Sequence, residues 1–376
     1  MVGDIMHVLH IGKYYEPNLG GIENHMYNLC HELKKDIKVT ALVYNTTNRT
    51  EIYTDRGVKV YKIATLAKFR SQPLALQMKK FVKELSEDAD IIHIHTPNPL
   101  AEYALVTSNI NKPIVVSYHS DIVKQKLLLK AYMPYGLKLL DKADAIIAGS
   151  RKYANSSSIL KRYRNKLRII PLGIDPNISK HFSNEDVLKI KHKYGDKIVL
   201  FAGRLIYYKG VEYLIEAFRE CQEYSLLIIG TGDLENKLIK KVKDLNLKNV
   251  YFLGKVKNLI PYYQACDIFV LPSIERSESF GVVQLEAMAC NRAVICTEIN
   301  TGTSFVNKNK ETGFVIKPQN SSELTKAIKF LFNHPTIRIQ YGKNARKRVL
   351  KFFTIKNNTK ENLKVYKDVL SKRKKW

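Results

Sequence analysis

The chain has 376 residues, 45% hydrophobic and 26% charged, the balance of a globular protein long enough for two cores. Its 62 Lys and Arg against 35 Asp and Glu leave a net charge of +27, which points to an anionic partner: nucleic acid, an acidic membrane surface or a phosphorylated ligand. No run reaches the roughly 18 apolar residues a membrane span requires, and five scattered cysteines without C-x-x-C spacing (Cys30, Cys221, Cys266, Cys290 and Cys296) read as buried free thiols in a reducing compartment, not a zinc site.

The amino-terminal MVGDIMHVLHIGKYY has no basic leader and reads as a first strand, not a signal peptide. A cytoplasmic protein is therefore expected, soluble or held peripherally. IMHVLHI (5–11), KVTALVY (38–44), DIIHIH (90–95), PIVVSYH (113–119) and DAIIAGS (144–150) read as buried strands. Amphipathic stretches such as GIENHMYNLCHELKK lie between them. This β-α alternation predicts a parallel sheet covered on both faces. PLGIDPNISKHFSNEDVLK then marks a linker around residues 171–186. The alternation resumes with KIVLFAG (197–203), SLLIIG (225–230), NVYFLG (249–254), DIFVLPS (267–273), RAVICTE (292–298) and TGFVIK (312–317). The expected division is an α/β domain over 1–178, a second over 179–352 and a closing helical tail over 353–376. Ligands bind at the carboxyl ends of such sheets, in loops that follow strands.

Gly20 and Gly21, in YYEPNLGGIENH, stand where the first strand hands over to a helix. Paired glycines there let a ligand approach the backbone, although a tight turn asks for them equally. They do not form G-x-G-x-x-G, so the nicotinamide fingerprint is missing; GTGDLE, starting at Gly230, lacks the third glycine as well. His119 ends a strand in SYHSD, with Asp121 two residues on. A lone histidine in that place serves structure as readily as chemistry. In FAGRLIYYKGVEYLI, Arg204 and Lys209 lie on a strand-to-helix loop where few core contacts are expected. Two cations beside helix amides suit a diphosphate; the plain alternative is a solvated basic loop.

ESFGVVQLEAMA (278–289) places Glu278 on a loop, Phe280 as an anchor, Gly281 at a turn and Glu286 about one turn into a helix. That helix begins with unbonded N–H groups. Both glutamates can accept hydrogen bonds from sugar hydroxyls. Otherwise Glu278 is a partner for the helix dipole and Glu286 part of a solvated helix face.

Together GGIENHMYNLCHEL, SYHSD, IIPLGID, GRLIYYKG and ESFGVVQLEAMA resemble glycosyltransferase family 4, in that family's order and spacing over essentially the whole chain. The resemblance implies the GT-B fold: two Rossmann-like, doubly wound α/β domains facing a cleft, with a C-terminal helix crossing back to the first. It also implies a retaining transferase that uses a nucleotide-sugar donor and needs no cofactor and no metal. By analogy, Arg204 and Lys209 would hold the donor diphosphate and Glu286 the ribose hydroxyls. Glu278, with the backbone of Ser279, Phe280, Gly281 and Val282, would hold the donor sugar, and Gly230 would line the donor site. His119 would line the reaction centre, and the Gly20–Gly21 loop would approach donor and acceptor. The family often carries a tryptophan in the segment matching FFTIKN, where this chain has Ile355; its only tryptophan is Trp376. RSESFG with the later INTGTSFVN looks most like transferases of O-antigen and other surface polysaccharides, often mannosyltransferases using GDP-mannose; UDP-sugar donors, or an epimerase on the same fold, are the alternatives.

Basic residues mix with Leu, Phe, Tyr and Met in two stretches of the first half, 66–85 and 121–140. The second holds Lys124, Lys126 and Lys130. Such a face suits an anionic bilayer and a lipid-linked acceptor, or is two solvated amphipathic helices packed on the sheet. RKYANSSSILKRYRNKLR (151–168) interleaves tyrosine with Lys and Arg, as single-strand binders do. No recognised nucleic-acid motif accompanies it and the charge spreads over both halves, so nucleic acid is not expected as a partner.

Overall fold

The computed structural model describes residues 5–16, 20–69, 72–121 and 126–373; the side chains of residues 69 and 126–131 are outside that description. The chain divides into two compact units, Met1–Leu172 with Ile355–Trp376, and Gly173–Thr354. The division falls a few residues from positions 178 and 352, the boundaries expected from the sequence.

In the first unit the strands are β1 (His7–Ile11), β2 (Lys38–Tyr44), β3 (Glu51–Asp55), β4 (Val58–Ile63), β5 (Ala67–Phe69), β6 (Gln72–Leu74), β7 (Ile91–Thr96), β8 (Ile114–Tyr118), β9 (Ala145–Ala148) and β10 (Leu167–Ile169). Eight form one sheet in the order β10-β9-β8-β7-β1-β2-β4-β3, and β5 pairs with β6 separately. All pairs of the large sheet are parallel except β3 with β4. That hairpin turns at Arg56 and Gly57, both with positive φ (45° and 90°), the geometry that matches strand twist. The apolar-run reading missed it because an edge hairpin alternates exposed and buried residues.

Alternate residues of the central strands enter two cores. Leu9, Ile11, Ile92, Ile94 and Val116 face one, with Met78, Val82, Ala101, Leu105 and Leu139 of the covering helices. Val8, Ile91 and Val115 face the other, with Met26, Leu29 and Leu33 of helix Gly21–Leu33. Val365, Tyr366 and Val369 of the last helix, Ile355–Arg373, enter this second core too. The C-terminal helix therefore belongs to the first unit, and it starts at the residue that replaces the family's tryptophan.

The second unit has β11 (Ile198–Ala202), β12 (Ser225–Ile229), β13 (Val250–Gly254), β14 (Ile268–Leu271), β15 (Ala293–Thr297) and β16 (Gly313–Ile316). All pairs are parallel, in the order β13-β12-β11-β14-β15-β16. This is the Rossmann order, and it reverses between β11 and β14, where a crevice for a ligand forms at the carboxyl ends. The stretch read as a linker is largely ordered: Asp175 caps a 3-10 turn over Pro176–Lys180, and Ser183 caps helix Asn184–Tyr194 by accepting the Asp186 N–H at 3.1 Å. All five cysteines are buried, and none forms a disulfide among the described residues. No helix among the described residues is long and apolar enough to cross a membrane.

Candidate active site

In the second unit the loops after β11 and β14 meet at the switch point. Gly210, after the 3-10 turn Tyr207–Lys209, has φ +64°, and a Cβ there would run into the Pro272 carbonyl. The Ile274 N–H donates to the Tyr208 carbonyl at 2.8 Å. This contact brings Lys209 Nζ to 2.5 Å from Glu278 Oε2. The Ser273 hydroxyl donates to the same oxygen at 3.1 Å. In turn the Ser273 carbonyl accepts the Thr297 hydroxyl from the end of β15. The carboxylate thus ties the exits of β11 and β14 together, and Ser273 links them on to the end of β15. Lys209 is buried, contrary to the expectation of few core contacts on its loop, because Glu278 neutralises it there. Arg204 is exposed and its side chain has no ion pair or hydrogen bond among the described residues; the structure does not bring it into the cluster.

Gly281 caps helix Val282–Ala289 at φ +75°, and a Cβ would lie 2.7 Å from Leu271 Cδ2. Only a residue that tolerates the left-handed region fits there. Phe280 is buried edge-on to Phe353 at 6.0 Å, and the Gly302 N–H donates to the Ser279 carbonyl at 2.7 Å, fixing the loop that carries Glu278. Val282 begins the helix, whose first amides lie at the carboxyl end of the sheet. Glu286 is half-buried and accepts the Tyr263 hydroxyl at 2.9 Å. Burial raises its pKa, and the Tyr263 hydrogen bond opposes that. It is therefore not on a solvated face. Gly230 has φ +129°, and a Cβ would collide with the Gly203 carbonyl, so the exits of β11 and β12 pack closely there.

In the first unit His119 directly follows β8. Its N–H donates to the Thr96 carbonyl at 3.1 Å, and its ring stacks on His95 with centroids 5.2 Å apart. His119 Nε2 is 3.0 Å from His95 Nδ1, and His95 Nε2 is 3.2 Å from His10 Nδ1. His10 and His93 are register partners on β1 and β7, and His95 lies two residues further along the same face. The rings of His25, from helix Gly21–Leu33, and His119 pack edge-to-face with centroids 5.8 Å apart. Its Nδ1 is buried with no partner among the described residues. Burial drives all these imidazoles down: His10 and His119 to about 3, His25 to about 4, His93 and His95 well below the usual range. All are neutral at pH 7. Asp121 is held by the hydroxyls of Tyr118 and Ser157, at 2.8 and 2.9 Å.

Gly20 is exposed with an extended backbone, φ −104°, and a Cβ on Gly21 would meet nothing within 4 Å among the described residues. A Cβ on Gly20 would meet only the end of the Glu23 side chain, at 2.6 Å, so among the described residues no backbone contact requires either to be glycine.

His10, His93 and His95 could place three nitrogens within 4.8 Å of one another, close enough for a metal. Each of their ring nitrogens already has a hydrogen-bond partner, however. One Asp-x-Asp occurs, Asp88–Asp90. The His7 backbone N–H donates to Asp90 at 2.8 Å, and the pair lies at the amino end of β7, away from the strand ends that carry the histidines. Lys124 lies outside the described residues, and Lys126 and Lys130 stand on helix Lys126–Lys142 with side chains outside them.

Two family descriptions cover the chain: Glycosyltransferase Family 4 matches residues 19–178 and Glycosyl transferases group 1 matches 182–348. The O-antigen chain mannosyltransferase C of Escherichia coli is 35% identical over 93% of this chain and 95% of its own length. A D-rhamnosyltransferase of Pseudomonas aeruginosa is 33% identical over 93% and 92%. The chain belongs to glycosyltransferase family 4. Solved structures show the same GT-B fold at lower identity. Sucrose-phosphate synthase from Thermosynechococcus elongatus superposes with TM-score 0.81 at 20% identity, over 97% of this chain and 99% of that one. Anabaena HepE in complex with UDP gives 0.78 at 19%, over 96% and 100%.

Reading the sequence of this transferase motif by motif missed Ser273, Tyr263, His25 and the file of His10, His93, His95 and Tyr366. Only DIIHIH held a signal: histidines two apart on a strand share a face. Their partners come from positions 10, 117, 119 and 366, which no local pattern connects.

Proposed function

We propose that this glycosyltransferase is a retaining, metal-independent enzyme that transfers mannose from GDP-mannose to a lipid-linked or polysaccharide acceptor in surface-glycan synthesis. It would act at the cytoplasmic face of a membrane, where its positive charge would meet anionic lipid. The observation that carries the reading is the buried Lys209–Glu278 pair at the switch point, on the loop that also carries exposed Arg204. Departure of a nucleoside diphosphate creates negative charge there. Lys209 and Arg204 stabilise it, with the first amides of helix Val282–Ala289 preorganised alongside. Glu278 holds the donor sugar and Glu286 accepts the ribose hydroxyls. The acceptor attacks from the face the diphosphate leaves, and a phosphate oxygen takes the acceptor's proton, which retains the anomeric configuration. Among the described residues nothing stands within 4 Å of a Cβ on Gly21, which leaves room for donor or acceptor to approach the backbone. His119 is the histidine assigned to the reaction. Mannose is favoured because the two relatives are named for mannose and D-rhamnose, its 6-deoxy form.

The test is thermal denaturation with GDP, UDP and ADP and their sugars, because ligands that bind only the native state raise the midpoint by mass action. GDP and GDP-mannose should give the largest shifts. Stabilisation by UDP and its sugars but not by GDP would replace the donor assignment.

A further inference from the structure

The β5–β6 hairpin turns its large apolar side chains outward. Leu66, Leu74 and Leu76 are 59%, 47% and 75% exposed, while the smaller Pro73 and Ala75 are buried. A strand alternates its faces, and a hairpin made for water would put the leucines inward and the small residues out. The outward leucines are nevertheless held in place by the fold. The Leu66 N–H donates to the Leu74 carbonyl at 2.9 Å, and the Thr65 N–H to the Thr47 carbonyl at 2.8 Å. The Thr50 hydroxyl accepts the Ala64 N–H at 3.0 Å and donates to Gln77 at 3.1 Å. Ala75, Met78 and Val82 enter the core. From Arg56 to Lys83 the chain carries eight Lys and Arg and neither Asp nor Glu. Lys68 on the hairpin is exposed, as are Lys79, Lys80 and Lys83 on helix Met78–Glu87; Lys80 faces exposed Glu84 at 3.8 Å. Lys68 Nζ lies 5.6 Å over the ring of Tyr14, in the segment that leads from β1 to Gly20.

We propose that this hairpin enters the surface of an anionic bilayer, with Leu66, Leu74 and Leu76 among the acyl chains and the neighbouring lysines at the headgroups. The inference rests on the membrane placement proposed above and names the element that makes it. Leucines set among cations suit the boundary between headgroups and acyl chains, where the leucines leave water and the ammonium groups stay at the level of the phosphates. Each leucine that leaves water is worth about tenfold in partition, and each lysine near the surface about fivefold. A stretch with cations and no acid repels a second copy of itself, which favours lipid over self-association. The place of the hairpin bears on the reaction. It follows β4 directly and its Lys68 reaches Tyr14, so its insertion brings the carboxyl ends of β1, β2 and β4 to the bilayer. The segment leading to Gly20 and Gly21 leaves from there, and a lipid-linked acceptor could reach it without leaving its membrane.

The test puts a single tryptophan on the hairpin. Leu76→Trp is combined with Trp376→Phe in the full chain, so that all tryptophan fluorescence comes from position 76. Leu76 is the most exposed of the three leucines, so the change leaves the core alone. Leu66→Trp with Trp376→Phe gives a second, separate report. Vesicles of phosphatidylcholine and phosphatidylserine are titrated in, and sedimentation of the same samples measures binding. The emission should move to the blue on binding and be quenched by lipid brominated on its acyl chains. Replacing Leu66, Leu74 and Leu76 together with Ser should lower vesicle affinity about 100-fold or more and leave the melting midpoint without vesicles at that of the wild type. Bound protein whose emission stays unmoved at both positions overturns the inference and leaves the membrane placement standing, on another face. Protein that stays in the supernatant overturns both. A blue shift without vesicles that grows with protein concentration would mean that a second copy covers the leucines, and overturns the inference as well. No readout involves the donor, so failure here is distinct from failure of the sugar-transfer assignment.

Discussion

Lys209 Nζ and Glu278 Oε2 stand 2.5 Å apart, and both residues are only 8% exposed. Breaking a buried ion pair from one side leaves the other charge stranded, typically at about 3–5 kcal/mol. Lys209→Met should therefore destabilise the protein by that order and abolish turnover. Adding Glu278→Gln to it should restore much of the stability and none of the turnover. Urea denaturation of the two single variants and the double variant gives the coupling; strict additivity would show that the pair is not a unit.

Arg204 makes the contrast. Its side chain is exposed and makes no hydrogen bond among the described residues, so Arg204→Ala should change stability by less than about 0.5 kcal/mol. If it meets the departing diphosphate, turnover should fall about 10²–10³-fold. Wild-type turnover in the folded variant would remove it from the site.

How far the sequence foretold these contacts depends on burial. Parallel strands covered on both faces show as unbroken apolar runs, so β7 and β11 were legible at once, whereas β3 with its exposed face was not. Arg204, Lys209, Glu278 and Glu286 were legible as loop and helix positions after strands. That Lys209 is neutralised by Glu278 was not legible, because 69 residues separate them and only the strand order brings their loops together. Likewise the partner of Glu286 is Tyr263, from a neighbouring helix that carried no motif.

The two glutamates should separate in calorimetry. Glu286→Gln removes charge from the acceptor proposed for the ribose hydroxyls and weakens those hydrogen bonds, so affinity for free nucleoside diphosphate should drop. Glu278→Gln removes the counter-charge of Lys209 and leaves the ammonium to the diphosphate. Its affinity for free nucleoside diphosphate should be at least that of wild type, while turnover of the intact donor falls. Equal weakening in both variants would mean that the motif acts as one clamp.

Binding to vesicles tests the basic first half. Each Lys or Arg near an anionic surface contributes about 1 kcal/mol, and the attraction fades beyond a Debye length. The protein should sediment with vesicles containing phosphatidylserine and be released by salt. Replacing Lys124, Lys126 and Lys130 with Gln should weaken this more than replacing Lys372, Lys374 and Lys375. Equal binding to neutral vesicles would exclude the electrostatic contribution.

The buried histidines make stability depend on pH in a definite direction. An unfolded histidine titrates near 6.5, while in the folded chain His25 is held to about 4, His10 and His119 to about 3, and His93 and His95 well below 6.5, burial being the first cause in each. Below pH 6.5 the unfolded chain takes up protons that the folded chain refuses, so stability is full above that pH and is lost as pH falls towards 4. Each such histidine contributes a slope of up to about 1.4 kcal/mol per pH unit. One carboxyl in the same unit opposes them. Burial raises Glu102 to about 7 against the hydrogen bonds of the Asn98 N–H and the Tyr132 hydroxyl, both at 2.6 Å, so it takes up its proton first in the folded state and adds stability as pH falls. Five imidazoles outweigh one carboxyl. Urea midpoints measured from pH 7.5 to 4.5 should be level at the top, then fall more steeply below 6.5 than a single histidine allows. A midpoint that stayed level or rose between pH 6.5 and 5 would mean that the file accepts protons while folded, and the neutral, one-proton-per-ring description of His10, His93, His95 and His119 would fail with it.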